Sequence, residues 1–463
     1  MRPPARLKPR LTGQLGHLCR MRHNAYRKMS IRRIIVVDRL ETAPSTTAIG
    51  RRQLLARLGL FTATLTAAPA LAAKPTPPHC GKAGEQMLAR IEYEKALNAL
   101  PSEAELPLLR DLHERYSRRQ LGHKPVPAVR AEHTANLEVY RNGQASAGRV
   151  TVLVHGCLSD HETWRYVAGA LGEDHELWLV DLPGCGTSGG DPKHLEPDAF
   201  KPEALAERVG LVLEQCLAER AASGLPEPRI TLVGHSLGGT LCLRLVSSPS
   251  LRNRFARVRQ QVDALVLFAP CDVAINSIPP SFMTLLSLSP IKVGVGDALG
   301  IVDDQIKDLT RASYFQPAYA TREQAEGFHR ALTVSVHLRS AQAMVRTAVP
   351  WKIEENRPDW EKIAPLEADY ANVDVPCLIA WGEWDETLPE TMGHKIRDKV
   401  PGARLVEITG SGLSVISEKP LECVRIIRTC EDAVAGGRFA ALPPVSCSGT
   451  KPFDGELTLA MGR

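Results

Sequence analysis

Six short apolar runs set the tightest limit on how this chain can fold: RVTVLVHG, HELWLVDLPG, RITLVGHS, DALVLFAP, VPCLIAWG and ARLVEITG, each with Gly or Pro at or near its end. A strand with one wet face alternates apolar and polar residues, whereas these runs are continuous, so both faces must be buried. Between them lie amphipathic helical stretches such as PEALAERVGLVLEQCLAERAAS and KPLECVRIIRTCEDAVA, suited to covering a sheet. The alternation predicts an α/β protein: a mostly parallel central sheet flanked by helices.

The rhythm starts near Ala135 and breaks once. Residues 272–371 carry mainly helical patterns, including REQAEGFHRALTVSVHLRSAQAMVRTA, and are far too long for a connecting loop. They are expected to form a helical lid over the carboxyl edge of the sheet. The core then divides into 135–271 and 372–435. Residues 73–134 read as an N-terminal helical arm, its two helices separated by Pro101, and 436–463 as a C-terminal tail.

Charge is unevenly placed. The formal net charge is +5, yet residues 1–72 hold 14 Lys/Arg against 2 Asp/Glu, so the remainder is net −7. An acidic body without a basic block argues against a nucleic-acid partner, whose phosphates must be neutralised by clustered cations. The basic leader contains Arg51 and Arg52, an apolar run from Leu54 to Ala68, and the small-residue pattern Ala70, Leu71, Ala72. It resembles a twin-arginine export signal cleaved after Ala72, and the run is too short to span a bilayer. The mature chain is therefore expected to be exported, periplasmic or secreted, with no integral membrane segment. Ten of the eleven cysteines follow the leader, and Cys80, Cys423, Cys430 and Cys447 are the better bridging candidates. No CxxC or Cys/His spacing suggests a metal.

Two stretches carry chemistry. TLVGHSLGGT places Ser236 between Gly234 and Gly238, after a strand and before a helix. A serine there sits on a tight turn that pushes its hydroxyl above the sheet, as a nucleophile elbow requires. In VTVLVHGCLSDHETW, His155 and Gly156 end a buried strand, so the amide beyond them can face a developing oxyanion. The expected donors are the backbone N–H groups of Cys157 and Leu237. Cys185 lies in a turn without a partner base and is not a credible nucleophile.

Taken in order, HGCLSDHETW, DLPGCGTSGG, GHSLGG and WGEWDETLP resemble the α/β-hydrolase fold superfamily in its lidded serine esterase and lipase-like branch, over roughly Ala135 to Glu431. The resemblance implies a carboxylic-ester hydrolase acting on a small-molecule ester or acyl ligand, with no cofactor or metal. It also implies a triad in the order Ser, acid, His: Ser236, then Asp385 in the Gly-x-x-Asp turn from Gly382, with Glu383 and Glu386 as nearby fallbacks. The family pattern then has Gly-His, four residues and Glu-x-Pro. Gly412, Glu418 and Pro420 keep that frame, but Leu413 occupies the histidine position, and no His follows His394.

Loss of the base in a serine triad costs about 10⁶ in kcat. Three readings stand open. A histidine from elsewhere, His161, His329, His337 or His394, could reach the serine; the chain could be a variant of an active enzyme, one base change separating His from Leu codons; or the fold could serve a catalytically silent, ligand-binding pseudoenzyme. His235 and His155 read as structural residues of their loops.

Overall fold

The computed structural model describes residues 90–126, 137–193, 197–272, 280–352, 355 and 357–448. The leader, with Arg51, Arg52 and the expected cleavage site, lies outside these residues, as does Cys80.

Nine strands form one sheet: β1 (Gln120–Val126), β2 (Leu137–Gly143), β3 (Arg149–Val154), β4 (Glu176–Asp181), β5 (Arg229–His235), β6 (Val262–Phe268), β7 (Cys377–Gly382), β8 (Arg404–Ile408) and β9 (Val445–Ser448). Their spatial order is β1-β2-β4-β3-β5-β6-β7-β8-β9. β2 pairs antiparallel with β1 and β4, and every other neighbouring pair is parallel. This is the α/β-hydrolase fold, a mostly parallel sheet with flanking helices.

The continuous apolar runs are split between two cores by the period of two along each strand. Along β3, Val150, Val152 and Val154 face one core while Leu153 faces the other. Along β6, Leu265 and Leu267 face the first, and Ala264, Val266 and Phe268 the second. The first core is closed by the helices Pro202–Ala222 and Leu237–Ser247, the second by Pro107–Arg118, Arg165–Leu171 and Pro420–Ala435. Proline at the first turn of three of these helices, Pro107, Pro202 and Pro420, suits a position whose N–H has no helical partner.

Between β6 and β7 run six helices of seven or more residues, from Pro280–Ser287 to Trp360–Ala368. They build a small core of their own around Leu285, Val293, Val302, Ile306, Leu332 and Leu338. Leu285 and Val293 belong to the apolar stretch SFMTLLSLSPIKVGVG, so part of that stretch packs inside the insertion.

The cysteine expectation needs correcting. Cys423 and Cys430 are free thiols, because their helix turns both onto the underside of the sheet. Cys447 is disulfide-bonded, and the other eight described cysteines are free, so its partner lies outside the described residues. No described helix is long and apolar enough to cross a membrane.

The chain reverses its direction of travel at β3: β4 lies on one side and β5 on the other. Loops leaving the carboxyl ends of β3 and β5 diverge there and open a crevice, the usual place for a ligand in such sheets.

Candidate active site

Ser236 occupies the turn between β5 and the helix Leu237–Ser247 with φ +52° and ψ −123°. A non-glycine residue rarely adopts this conformation, so the turn is strained and must be held by its surroundings. The Ser236 N–H donates to the Phe268 carbonyl at 2.9 Å, while its own carbonyl accepts the N–H of Gly239 at 2.9 Å and of Cys271 at 3.1 Å. Close approach of three backbones makes the geometry possible. A Cβ at Gly238 would lie 2.2 Å from the Val154 oxygen, and one at Gly156 only 2.7 Å from Ser236 Cβ and 3.1 Å from Oγ. The glycine after β3 therefore lets its loop lie directly against the serine side chain.

Ser236 and Cys157 both line a partly enclosed cavity of about 130 Å³, with His235 and Leu413. The insertion contributes Leu309, Tyr314, Phe328 and His337 to its wall. Among the described residues, neither the Cys157 amide nor the Leu237 amide donates a backbone hydrogen bond. Leu237 is the first helical residue, where the N–H has no partner within the helix.

The loops carrying these groups are fixed by buried polar links. His155 Nε2 accepts the Leu182 N–H at 3.0 Å, which puts the ring proton on Nδ1, 2.7 Å from the Gly156 oxygen. Burial holds this ring neutral by lowering its pKa. Asp181 Oδ1 accepts both the backbone N–H of His161 at 2.7 Å and its ring Nδ1–H at 2.9 Å. Burial disfavours the charged imidazole, but its bonds to Asp181 and Glu162 raise it to about 9. His161 also stacks on Tyr140, with ring centroids 3.5 Å apart. It is a structural ion pair turned away from the cavity, whose wall it does not join.

The remaining histidines divide clearly. His235 Nε2–H donates to the Leu413 carbonyl at 2.9 Å, and burial depresses its pKa to about 4. His329 pairs with Asp297 at 2.9 Å, and His394 with Glu407 at 3.0 Å. His337, on the insertion helix Ser335–Ala348, meets the Gly186 carbonyl at 3.2 Å and alone of the four distant candidates lines the Ser236 cavity.

Asp385 sits in the turn after β7, half-buried, its Oδ1 accepting the N–H groups of Thr387 at 2.9 Å and Leu388 at 2.8 Å. Of the fallbacks, Glu383 is buried and accepts the Gly410 N–H at 3.0 Å, while Glu386 is exposed. The turn of Asp385 abuts the loop of Leu413: the Trp384 N–H donates to the Ser411 oxygen at 2.8 Å, and a Cβ at Gly382 would lie 2.2 Å from the Gly412 oxygen. Leu413 itself is half-buried against the first core.

Glu418, a marker of the motif in the sequence, has a structural task the sequence did not reveal. Its carboxylate accepts the N–H of Gly412 at 2.6 Å and of Phe315 at 2.7 Å, clamping the Leu413 loop to the insertion. Full burial raises its pKa to about 7. The thiol chemistry of the site is muted, since burial lifts Cys157 to about 12 and Cys185 well above the ordinary thiol value.

Among the described residues, Glu390, His394 and Glu407 form a trio with ligand atoms within 4.8 Å of one another. Arg397 Nη1 lies 3.2 Å from His394 Nδ1, which leaves the ring proton on Nε2 to bond Glu407. Arginine thus supplies the cation that a metal would otherwise contribute, and the trio lies outside the Ser236 cavity.

The model of the Alpha/beta hydrolase family matches residues 151–426. An uncharacterized protein of Mycobacterium tuberculosis is 24% identical over 304 residues, covering 64% of this chain and 79% of the relative. The pimeloyl-[acyl-carrier protein] methyl ester esterase of Edwardsiella ictaluri is 40% identical over 91 residues, 20% of this chain and 28% of that one. Among solved structures, lip1 of Acinetobacter baumannii AYE superposes with a TM-score of 0.51 at 17% identity, covering 72% of this chain and 97% of that one, a likeness of fold alone.

Proposed function

Since the chain belongs to the alpha/beta hydrolase family, we propose that it is a lidded serine hydrolase for a carboxylic ester, with Ser236 as nucleophile and its proton acceptor replaced by Leu413. The observation that carries the reading is the strained turn at Ser236, φ +52°, set against Gly156 in a cavity roofed by the insertion. Strain of this kind persists where the surroundings impose it, and it clusters at reacting groups.

In this reading Ser236 Oγ attacks the ester carbonyl, and the oxygen that gains charge is received by the N–H groups of Cys157 and Leu237. Among the described residues neither amide has a backbone acceptor, which leaves both N–H groups for the oxyanion. Asp385 is the acid whose role would be to orient an imidazole at position 413. Leucine cannot take the hydroxyl proton, so Ser236 reacts slowly, with roughly 10³ to 10⁴ over water retained from the oxyanion donors and binding. The small-molecule substrate class, an ester or acyl compound, is what the family resemblance implies, and the cavity beside Ser236 offers it a mixed polar and apolar lining.

A second reading rests on Leu413 and on the engagement of the nearby rings: a silent binding protein that holds an acyl ligand in the same cavity. His337 is the candidate for a substitute base. Export of the mature chain is also part of the proposal. It rests on Arg51, Arg52 and the run that follows, and a disulfide at Cys447 fits an oxidising compartment. N-terminal sequencing of the mature protein should begin at Ala73; an intact leader on the functional protein would refute export.

Incubation with a fluorophosphonate followed by peptide mapping tests the hydrolase reading. Slow phosphonylation confined to Ser236, and absent from Ser236→Ala, is expected. Modification of another residue would overturn the assignment of the nucleophile. Saturable binding of an ester without labelling or hydrolysis would favour the silent protein.

A further inference from the structure

A second cavity, of about 380 Å³, shares no lining residue with the Ser236 cavity. Its walls include Lys201, Glu203, Thr240, Arg244, Arg346 and Trp351. What sets it apart is a convergence of hydrogen-bond donors without acceptors. The Arg244 side chain is only 3% exposed; its Nη1 donates to Asp369 at 3.1 Å, but its buried Nη2 finds no acceptor among the described residues. The buried indole Nε1 of Trp351 is in the same condition. A buried N–H left unpaired costs about 1–3 kcal/mol, so two at one cavity call for an acceptor.

The third contribution comes from the helix Pro202–Ala222. It has 21 residues and no side chain capping its N-terminus, which therefore presents unpaired amides and the positive end of its dipole. Arg346 is exposed and forms no ion pair among the described residues. The acidic side chains at the wall are turned to other partners: Glu203 accepts from Ser248 and Ser250, and Asp272 accepts from Tyr370. Asp272 also brings a buried carboxylate to this wall, against which stand the donors of Arg244 and Trp351 and the cations Arg346, Lys201 and Lys362.

We infer that this cavity binds a small oxyanion, a phosphate or carboxylate group, held by Arg244 Nη2, Trp351 Nε1 and the first-turn amides of Pro202–Ala222, with Arg346 adding charge at the mouth. Arg244 lies on the helix that follows Ser236, about 12 Å further along at 1.5 Å per residue. Arg346 and Trp351 stand at the end of the insertion's longest helix and just beyond it. The bound anion would therefore tie the insertion to the helix that begins at Ser236. Nothing in this depends on the chemistry of Ser236.

Titration calorimetry and thermal melts of the full chain test it, with inorganic phosphate, acetate and chloride at matched ionic strength. Saturable binding of phosphate or acetate with a raised Tm, and none of chloride, is expected; the tighter of the two identifies the tetrahedral or the planar group. Trp351→Phe should weaken binding about tenfold and Arg346→Ala several-fold, both at unchanged fold, while Ser236→Ala binds as the parent does. Absence of saturable binding by either oxyanion, or unaltered affinity in both Trp351→Phe and Arg346→Ala, would overturn the site. Failure here leaves the labelling of Ser236 untouched, so the two proposals fall separately.

Discussion

Replacing Ser236 by glycine and, in a second variant, by alanine separates backbone strain from side-chain chemistry. Both substitutions remove the hydroxyl, but only glycine relaxes a residue held at φ +52°, ψ −123°. Strain of this type costs about 1–3 kcal/mol, and glycine gives back roughly 0.5–1 kcal/mol through the greater freedom of the unfolded chain. The net expectation is that Ser236→Gly is more stable than Ser236→Ala by about 0.5–2 kcal/mol. Urea unfolding of the two variants, followed by far-UV circular dichroism, gives the difference directly. Equal stabilities, or a less stable glycine variant, would show that the turn is not strained and would remove the main support for an elbow at Ser236.

Other outcomes follow from the same geometry. Gly156→Ala pushes a methyl to 2.7 Å from Ser236 Cβ, so it should cost about 1–3 kcal/mol by overpacking and abolish fluorophosphonate labelling, as read by denaturation and gel fluorescence. Glu418 has its pKa raised to about 7 by burial; between its ordinary value and 7 the folded state keeps a proton the unfolded chain has lost, so its contribution is present in acid and disappears as pH rises. That amounts to about 3 kcal/mol, and Glu418→Gln, compared with the parent by urea unfolding at pH 5 and pH 7, should lose most of this dependence. His235, depressed to about 4 by burial, acts in the opposite sense: the unfolded chain takes up its proton first, and stability falls as pH drops from 6.5 towards 4. Removing Arg220 from the buried Glu176, 2.5 Å apart with side chains 2% and 0% exposed, by Arg220→Met should cost about 1.5–3 kcal/mol in the same assay, because Arg141 at 2.7 Å and Trp178 Nε1 at 2.9 Å still hold the carboxylate.

The interior of the fold was legible because burial on both faces writes itself into composition. All six apolar runs became strands, β3 to β8, in one mostly parallel sheet. The edges were not legible. Gln120–Val126 reads QLGHKPV and is exposed over six of its seven residues, so it joins the sheet through backbone pairing to Leu137–Gly143 without any apolar signal. Val445–Ser448, within the stretch read as a tail, is likewise only four residues long and pairs with β8. At the site, the glycines around Ser236 and the HG after β3 announced a close approach that the backbone geometry contains. The second cavity was invisible, because Arg244, Arg346, Trp351 and the start of Pro202–Ala222 are brought together only by the tertiary fold. The task of Glu418 was hidden for the same reason: its partner Phe315 lies 103 residues away.

The account turns on the missing proton acceptor, and Leu413→His tests that most directly. Leu413 already lines the cavity of Ser236, its loop abuts the turn of Asp385, its carbonyl accepts from His235, and the N–H of the preceding Gly412 donates to Glu418. Initial rates on a short p-nitrophenyl ester should therefore rise at least about 10³-fold over the parent, within the roughly 10⁶ that a triad base supplies, and fall back when Asp385→Ala is added. A parent chain that already turns over at the rate of the Leu413→His variant, or a variant that gains nothing, would contradict it.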